Sequence, residues 1–184
     1  MLSNAVLLVI GGLPGTGKTT LSRLLAACIR AVHLRVDTIE QALVRSGLAR
    51  HPVGPAGYVV GYALAEEHLR QGLTVIAESV NPLAVTRDSW RDAGVRAGVP
   101  VVEVEVICSD PAEHRHRVTS RSVDIPGLPL PDWQQVRRRD YEPWNREHIV
   151  LDTAGDGPEE SLNSLLHQLD RLRLLARDGL PGTW

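Results

Sequence analysis

The chain lacks phenylalanine altogether, and it has one methionine, two cysteines and 4% aromatic residues among its 184 positions. Two cysteines cannot form a disulfide framework, so we expect a reducing, cytoplasmic environment. No apolar stretch approaches the ~20 residues of a membrane-spanning helix. The apolar N-terminal segment also lacks the basic flank of a signal peptide. A net charge of −2 gives no overall reason to expect a nucleic-acid or membrane partner.

What the sequence does contain is typical of a globular protein, with 43% hydrophobic and 23% charged residues. The length suits one domain with a substantial hydrophobic core, and the sequence has no internal repeat, low-complexity tract or linker. We therefore predict a single domain over residues 1–176, followed by a loose C-terminal tail at 177–184.

Short apolar runs alternate with helical patterns along the chain, which favours a parallel α/β sheet. The predicted strands are residues 5–10, 31–36, 73–77, 100–107 and 149–152. Asn81 before Pro82 predicts the cap and first turn of a helix, and Asp110 with Glu113 predicts a capping box. Glu103 on the fourth strand predicts a partly exposed face or charged partners on a covering helix, because a central parallel strand is usually apolar on both faces.

Residues 12–19, GLPGTGKT, match the phosphate-binding pattern G-x-x-x-x-G-K-[ST] between a predicted strand and an amphipathic helix. In this context, glycines allow backbone N–H groups to surround phosphate oxygens at the N-terminus of the helix. Lys18 would reach the β- and γ-phosphates, and the Thr19 hydroxyl would hold Mg²⁺. The residues predicted to contact ATP here are Gly12, Leu13, Pro14, Gly15, Thr16, Gly17, Lys18, Thr19 and Thr20.

Several classes of nucleotide-binding protein share this loop, and absent motifs separate them. The chain has no Asn-Lys-x-Asp motif for reading guanine and no Ser-Gly-Gly signature of an ABC-type ATPase. It is also too short for the helical subdomain of a ring-forming mechanical ATPase. The class that remains is a compact kinase that moves the γ-phosphoryl group of ATP onto a hydroxyl.

The loop, Asp37 after the second predicted strand, Glu78 after the third and an arginine-bearing segment together resemble the small P-loop kinases. That superfamily includes chloramphenicol phosphotransferase, gluconate kinase, adenylylsulfate kinase, the zeta toxins and the kinase half of polynucleotide kinase. The resemblance covers residues 5–155. It implies an α/β P-loop NTPase fold: a five-stranded parallel sheet of order 2-3-1-4-5, helices on both faces and a lid at about residues 115–140. ATP and the acceptor are then expected to meet above the carboxyl ends of the strands.

Two acidic residues are predicted to take part in the chemistry. Asp37 is the predicted catalytic base, because a carboxylate commonly orients the attacking hydroxyl in phosphoryl transfer. Asp37 and Glu40 also fit a capping box, and the two roles are compatible. Glu78 is predicted to hold Mg²⁺ or contact the substrate; the alternative is a strand-end acid that caps the turn at Asn81.

Arginines of the lid are predicted to stabilise charge on the transferring phosphoryl group. Arg117 and Arg121 lie four residues apart and share a helix face, so both are predicted to be catalytic. Arg115 is predicted to contact the nucleotide, although helical spacing directs it elsewhere; the alternative for each arginine is a solvated surface position. Thr153 follows the last strand, where the resemblance implies backbone near the adenine.

The acceptor is predicted to bind beside Asp37. The residues predicted to contact it are Asp37, Arg45, Tyr62, Glu78, Asn81 and Arg87, with Tyr62 equally explained as a core residue. His114 and His116 do not form a metal site in this interpretation, because alternate residues of a helix point apart and no third ligand is evident.

The sequence therefore predicts an ATP- and Mg²⁺-dependent kinase whose partner is a small-molecule hydroxyl acceptor such as a sugar, an antibiotic or a nucleoside. One alternative is a polynucleotide 5′-hydroxyl kinase, supported by Trp133, Tyr141 and Trp144 near three consecutive arginines but disfavoured by the low aromatic content. The other is a regulatory or toxin-like protein that binds ATP without being a kinase. The acceptor and the oligomeric state stay open.

Overall fold

The computed structural model describes residues 5–172. Its five parallel strands form one sheet in the order β2-β3-β1-β4-β5, as expected. The strands are β1 (Leu7–Gly11), β2 (Val32–Arg35), β3 (Val75–Glu78), β4 (Val101–Ile107) and β5 (Ile149–Asp152). The predicted tail at 177–184 and the C-terminal end of the predicted domain lie outside the described residues.

Helices cover both faces of the sheet. They are α1 (Lys18–Ile29), α2 (Val36–Arg45), α3 (Ala56–Arg70), α4 (Ala84–Ala97), α5 (Pro111–Ser120), α6 (Trp133–Arg137) and α7 (Pro158–Arg171). Alternate residues of β1 point to opposite faces: Leu8 belongs to a core cluster with residues of α1 and α7, and Leu7 to one with residues of α3 and α4. This central strand is buried along its whole length, so its register fixes the position of the loop that follows it.

The second strand ends one residue earlier than predicted. Arg35 is the N-cap of α2, and α2 begins at Val36 without an intervening loop. Asp37 therefore lies in the first helical turn, where a carboxylate is favoured by the positive end of the helix. The predicted capping box of Asp37 and Glu40 is wrong, because Asp37 is inside the helix and not at its cap.

The predicted cap at Asn81 is also wrong. The N-cap of α4 is Leu83, and Asn81 adopts the left-handed conformation with φ of 51°. Its side chain is fully buried, and Oδ1 accepts a hydrogen bond of 3.1 Å from Trp90 Nε1. The buried indole N–H of Trp90 needs a hydrogen-bond acceptor, and the Asn81 side chain supplies it. Asn81 is therefore a core residue and does not cap the helix.

The two glutamates of β4 do have side-chain partners, but these come from the irregular segment before β5 and not from a covering helix. Arg146 donates to Glu103 at 2.5 Å, and His148 Nε2 lies 3.2 Å from a carboxylate oxygen of Glu105. Arg146 also reaches Asp88 of α4 at 2.6 Å, so the segment is tied to the sheet and to a helix. These contacts satisfy the buried carboxylate of Glu103.

Among residues 5–172, no helix combines the length and the apolar character needed to cross a membrane.

Candidate active site

A cleft with a volume of about 1280 Å³ lies above the carboxyl ends of the strands, between the phosphate loop, α2 and the lid. This is the position expected for ligands in an open α/β sheet. The predicted site residues that line it are Pro14, Gly15, Gly17, Lys18, Thr19, Thr20, Asp37, Arg117, Arg121 and Thr153. The remaining predicted residues lie beneath it or elsewhere.

The loop between β1 and α1 depends on its glycines. Gly15 and Gly17 have φ values of 87° and 91°, a left-handed region in which other residues are strained. A Cβ atom at Gly12 would lie 2.3 Å from the carbonyl oxygen of Val106 on β4. Gly17 is the N-cap of α1, so the unpaired amides of the first helical turn and the positive end of the helix point at the loop. The result is an anion-binding cradle made of backbone.

Lys18 places its ammonium group inside this cradle. The residue is 7% exposed, and its Nζ lies 3.5 Å from the carbonyl oxygen of Leu13. Burial lowers the pKa of Lys18 below its ordinary value, and the negative charges of Glu78 and Asp37 act in the opposite direction. An anion in the loop would favour the charged form of the lysine.

Glu78 ends β3 beneath the loop and is 1% exposed. Its carboxylate accepts a short hydrogen bond from the Thr19 hydroxyl and contacts His33 Nε2 at 2.8 Å. Burial alone would raise the pKa of Glu78, but the His33 contact, the Lys18 charge and the Thr19 hydrogen bond outweigh it, and the pKa is lowered. The glutamate is thus held as a carboxylate next to the predicted metal-binding hydroxyl.

These two side chains fit Mg²⁺ bound together with a nucleotide. Magnesium prefers hard oxygen ligands and is usually held by one or two protein groups plus phosphates and water. The Thr19 hydroxyl and the Glu78 carboxylate meet at the edge of the cradle and supply that donor set. In the described part of the chain, no three His, Cys, Asp or Glu side chains form a metal cage of their own.

Asp37 projects from the first turn of α2 into the cleft, with 35% of its side chain exposed. Arg35 Nη2 lies 3.6 Å from its carboxylate, and Arg35 Nε lies 3.7 Å from Glu78. The same guanidinium donates to Asp124 of the lid at 2.6 Å. Arg35 therefore connects the predicted base, the predicted metal ligand and the lid through one side chain, a feature that sequence reasoning missed.

The three lid arginines that were predicted to act in the site have different environments. Arg117 donates to the hydroxyl and the carbonyl oxygen of Thr153, each at 2.8 Å, and forms a short ion pair with Glu113. Arg121 makes no hydrogen bond or ion pair within residues 5–172, its Nε is buried, and burial lowers its pKa against the opposing charge of Asp37. Arg115 is exposed and lines a small separate pocket with Cys108, not the cleft.

Thr153 joins the segment after β5 to the phosphate loop. Its hydroxyl lies 2.9 Å from the carbonyl oxygen of Thr16, and the residue is buried. Together with its bonds to Arg117, this contact fixes the lid helix α5 to the base of the cleft. A second link between the lid and the loop is His114, whose Nε2 donates to the carbonyl oxygen of Pro14 at 2.9 Å.

Five residues predicted to contact the acceptor do not line the cleft, and one of them, Glu78, lies beneath the phosphate loop. Arg45 is exposed in the last turn of α2, and Tyr62 packs edge-on against Trp90 with ring centroids 4.6 Å apart. Asn81 is buried against the same tryptophan. Arg87 is 1% exposed and donates to the carbonyl oxygens of Asn81, Glu142 and Pro143, so it serves the core.

His51 and Arg139, which the sequence marked as possible contacts of the acceptor and of the closed site, do line the cleft. Residues that the sequence did not single out for the site line it too, among them Arg23, Arg35, Glu40, Pro52, Val53, Gly54, Asp124, Gln135 and the apolar lid segment 128–131. The signal for Glu40 was its spacing from Asp37, since residues three apart on a helix share a face. The loop and lid residues carry no comparable local signal, because only the fold brings them to the cleft.

A family model described as an AAA domain matches residues 7–142. The chain belongs to this family. The match contains the phosphate loop, Asp37, Glu78 and most of the lid, and with the curated relatives it confirms the membership of the small P-loop kinase superfamily.

Two curated proteins are similar to most of the chain. A "Probable adenylyl-sulfate kinase" from Aeropyrum pernix is 25% identical over 183 residues, which cover 89% of this chain and 92% of that protein. A "Probable bifunctional SAT/APS kinase 2" from Sorangium cellulosum is 27% identical over 187 residues. That match covers 91% of this chain but only 29% of the longer protein, so it concerns one part of a larger enzyme.

Solved structures share the fold. Kti12 from Chaetomium thermophilum, in complex with ADP-AlF3, superimposes with a TM-score of 0.64 at 23% sequence identity. The superposition covers 96% of this chain and all of that one. The P-loop NTPase fold expected from the sequence is therefore confirmed.

Proposed function

We propose that this protein is an ATP-dependent phosphotransferase that moves the γ-phosphoryl group onto a hydroxyl of a small molecule. The observation that carries the proposal is a single cleft into which the phosphate loop, Asp37 and Arg121 all open, with the Thr19–Glu78 pair at the loop. The kinases among the relatives of the chain support the same class of reaction.

The loop would bind the triphosphate. Backbone amides at the N-terminus of α1 and the ammonium of Lys18 offset its negative charge, and they are in place before the ligand arrives. Thr19 and Glu78 would hold Mg²⁺, which when bound neutralises charge on the β- and γ-phosphate oxygens. Burial of Glu78 keeps this carboxylate fixed and away from bulk solvent.

Asp37 would act at the acceptor. The hydroxyl oxygen of the acceptor forms a bond to the γ-phosphorus, and the bond from that phosphorus to the β–γ bridging oxygen breaks. ADP leaves with the bonding electrons, and the hydroxyl proton passes to Asp37. The carboxylate is partly exposed, so it can reach a bound hydroxyl. It also lines the same cleft as the phosphate loop, which suits a group that orients the attacking hydroxyl.

Arg121 would stabilise the charge of the transferring group. It lines the cleft, and no partner within the described chain occupies its guanidinium. Arg117 is already bonded to Thr153 and Glu113, so it would order the segment beside the nucleotide rather than follow the γ-phosphate.

A polynucleotide acceptor is less favoured by the side chains. Trp133 packs edge-on against His114 at 5.1 Å, Trp144 stacks on His148 at 4.8 Å, and Tyr141 accepts a hydrogen bond from Trp144. None of these rings lines the cleft of the described residues, so none is available there to stack a base.

An acceptor screen tests the proposal. Purified protein with Mg²⁺ and ATP is offered sugars, amino sugars, polyols, nucleosides and hydroxylated antibiotics, and ADP release is measured for each. We expect one group of hydroxyl compounds to raise ADP release above background. Lys18→Met should abolish both the background release of ADP and the release that the acceptor stimulates. If ATP binds but no hydroxyl compound raises ADP release, the kinase proposal is wrong and a regulatory nucleotide-binding role is favoured.

A further inference from the structure

The part of the cleft beyond Asp37 is where the acceptor would bind if the proposed function is correct. One wall is α2, which presents Glu40 one helical turn after Asp37. The opposite wall is the lid, with Gln135, Arg139 and the apolar segment 128–131. Residues 51–54 close the end of the cleft.

Glu40 is an unpaired carboxyl group in this wall. Within residues 5–172 it has neither a hydrogen bond nor an ion pair, although its side chain is partly buried. The side chain lies over Gly57 of α3, where an added Cβ would come within 2.3 Å of Glu40 Cγ. The glycine therefore provides the space in which the carboxyl group rests at the cleft.

The charges around Glu40 compensate this carboxyl group only in part. Burial and the nearby charge of Asp37 raise its pKa to about 7, and Arg139 opposes that shift only in part. Arg139 is an exposed lid residue, and no salt bridge joins it to Glu40. Tyr58 of α3 and His51 are the other titratable groups near this wall, and His51 is bonded to Gln41 at 3.0 Å.

The other cations of the cleft are already engaged or belong to the phosphate end. Arg35 lies 2.6 Å from Asp124, 3.6 Å from Asp37 and 3.7 Å from Glu78. Lys18 lies in the phosphate loop, and Arg121 would face the transferring group. An anionic group on the acceptor would therefore meet two carboxyl groups without a buried cation to pair with.

We propose that Glu40 binds hydrogen-bond donors of the acceptor, and that this acceptor is an uncharged or cationic hydroxyl compound, such as a polyol or amino sugar. Hydroxyl and ammonium groups supply the donors that an unpaired carboxyl group lacks, and an ammonium would also favour the charged form of Glu40. A carboxylate or sulfate would instead raise the pKa of Glu40 further and would lie beside the charge of Asp37. The apolar lid segment would cover the carbon skeleton of the acceptor. The inference rests on the proposed function and narrows its substrate class.

The test uses acceptors that share one carbon skeleton and differ in charge. Glucose, glucosamine and glucuronate are one such set of pyranoses, and the compounds found by the acceptor screen are extended to neutral, amine and carboxylate forms in the same way. Values of kcat and KM are measured for the wild-type protein, for Glu40→Gln and for the control Glu67→Gln, which changes an exposed glutamate of α3 outside the cleft.

We expect the neutral or amine form of each set to be preferred to the carboxylate form by about tenfold or more, the range of a charge-assisted hydrogen bond. Glu40→Gln should raise KM for the preferred form and reduce this discrimination, with kcat and the KM for ATP little changed. Gly57→Ala keeps the charge but displaces Glu40, so it should raise the same KM. Thermal melting checks that each variant is folded, and Glu67→Gln should behave as wild type.

A preference for carboxylate or sulfate acceptors, or unchanged discrimination in Glu40→Gln, would overturn the inference while phosphoryl transfer itself upheld the proposed function. If no compound in any charge state raised ADP release, the proposed function would fail, and this inference with it.

Discussion

At the scale of the residue, the lid arginines show how environment separates roles that sequence spacing does not. Arg117 and Arg121 share a helix face by spacing, yet Arg117 is held by Thr153 while Arg121 has no hydrogen bond or ion pair in the part of the chain that the structure describes. A guanidinium that is already bonded, such as that of Arg117, cannot follow a moving phosphoryl group without losing those bonds. The guanidinium of Arg121 has no such bonds to lose.

We therefore expect Arg121→Gln to lower kcat by about 10²–10³-fold, the usual effect of removing one charge-stabilising group, with a smaller change in the KM for ATP. The matched control is Arg115→Gln, which removes the same charge from α5, the helix that Arg121 caps, at a position that does not line the cleft. Steady-state kinetics with the acceptor from the screen give kcat and the KM for ATP of both variants. Equal losses in the two variants would show that Arg121 acts only through the general charge of the lid.

At the scale of the element, the lid is attached to the sheet by ion pairs of Asp124. Arg23 of α1 and Arg35 at the end of β2 each donate to this carboxylate at 2.6 Å. The Arg35 hydrogen bond, with that of Arg23, lowers the pKa of Asp124 from 3.8 to about 2. One lid carboxylate thus joins α1 and β2, whose arginines lie 101 and 89 residues away from it in the sequence.

This attachment predicts an acid-dependent loss of stability. Because the pKa of Asp124 is lower in the folded state, the unfolded chain takes up the proton first as the pH falls below about 3.8. The contribution of Asp124 is therefore fully present above that pH and is lost as the pH falls toward about 2. Asp124→Asn should be less stable than the wild type at pH 6. As the pH falls, the stability of the wild type should fall toward that of the variant.

Urea unfolding at pH 6, 4 and 3 measures the free energy of unfolding for both proteins. Asp92→Asn, at an exposed position on α4, is the control and should track the wild type. If the difference in the free energy of unfolding between wild type and Asp124→Asn stayed constant with pH, the ion pairs of Asp124 would not stabilise the fold.

Elements with a local chemical signal could be predicted from the sequence. The bounds of β5 and the N-cap at Asp110 agree with the structure, because a short apolar run and a capping side chain act over a few neighbours. Asn81 was misassigned because its partner, Trp90, belongs to the core and not to the adjacent turn. The end of β2 was misplaced because Val36 continues the apolar run of the strand into a helix.

The candidate site was predictable to a similar extent. Lys18, Thr19 and Asp37 follow strand ends, and parallel strands bring their carboxyl ends to one edge, so the cleft contains them. Arg87 and Tyr62 were expected there as polar groups. In the structure Tyr62 packs against Trp90, and Arg87 donates to the segment before β5. Glu40 and Arg139 line the same cleft only because the lid is folded over α2, an arrangement that no local pattern describes.

At the scale of the whole molecule, the cleft is electrostatically divided. The phosphate end combines backbone amides, Lys18 and Arg121, and the acceptor end combines Asp37 and Glu40. Such a division would hold a triphosphate at one end and a donor-rich hydroxyl compound at the other. Lid residues line the cleft at both ends. The links from the lid to the loop, through His114 and through Arg117 and Thr153, would connect lid position to nucleotide binding.

The most direct test of the account follows the γ-phosphoryl group itself. ATP labelled at the γ-phosphate is incubated with the best hydroxyl acceptor, and the label is traced to acceptor or to inorganic phosphate for wild type and Asp37→Asn. We predict label on the acceptor with the wild type, and a loss of that transfer by orders of magnitude in Asp37→Asn with an unchanged melting temperature and ATP affinity. Label found only in inorganic phosphate, or near-normal transfer by Asp37→Asn, would contradict the account.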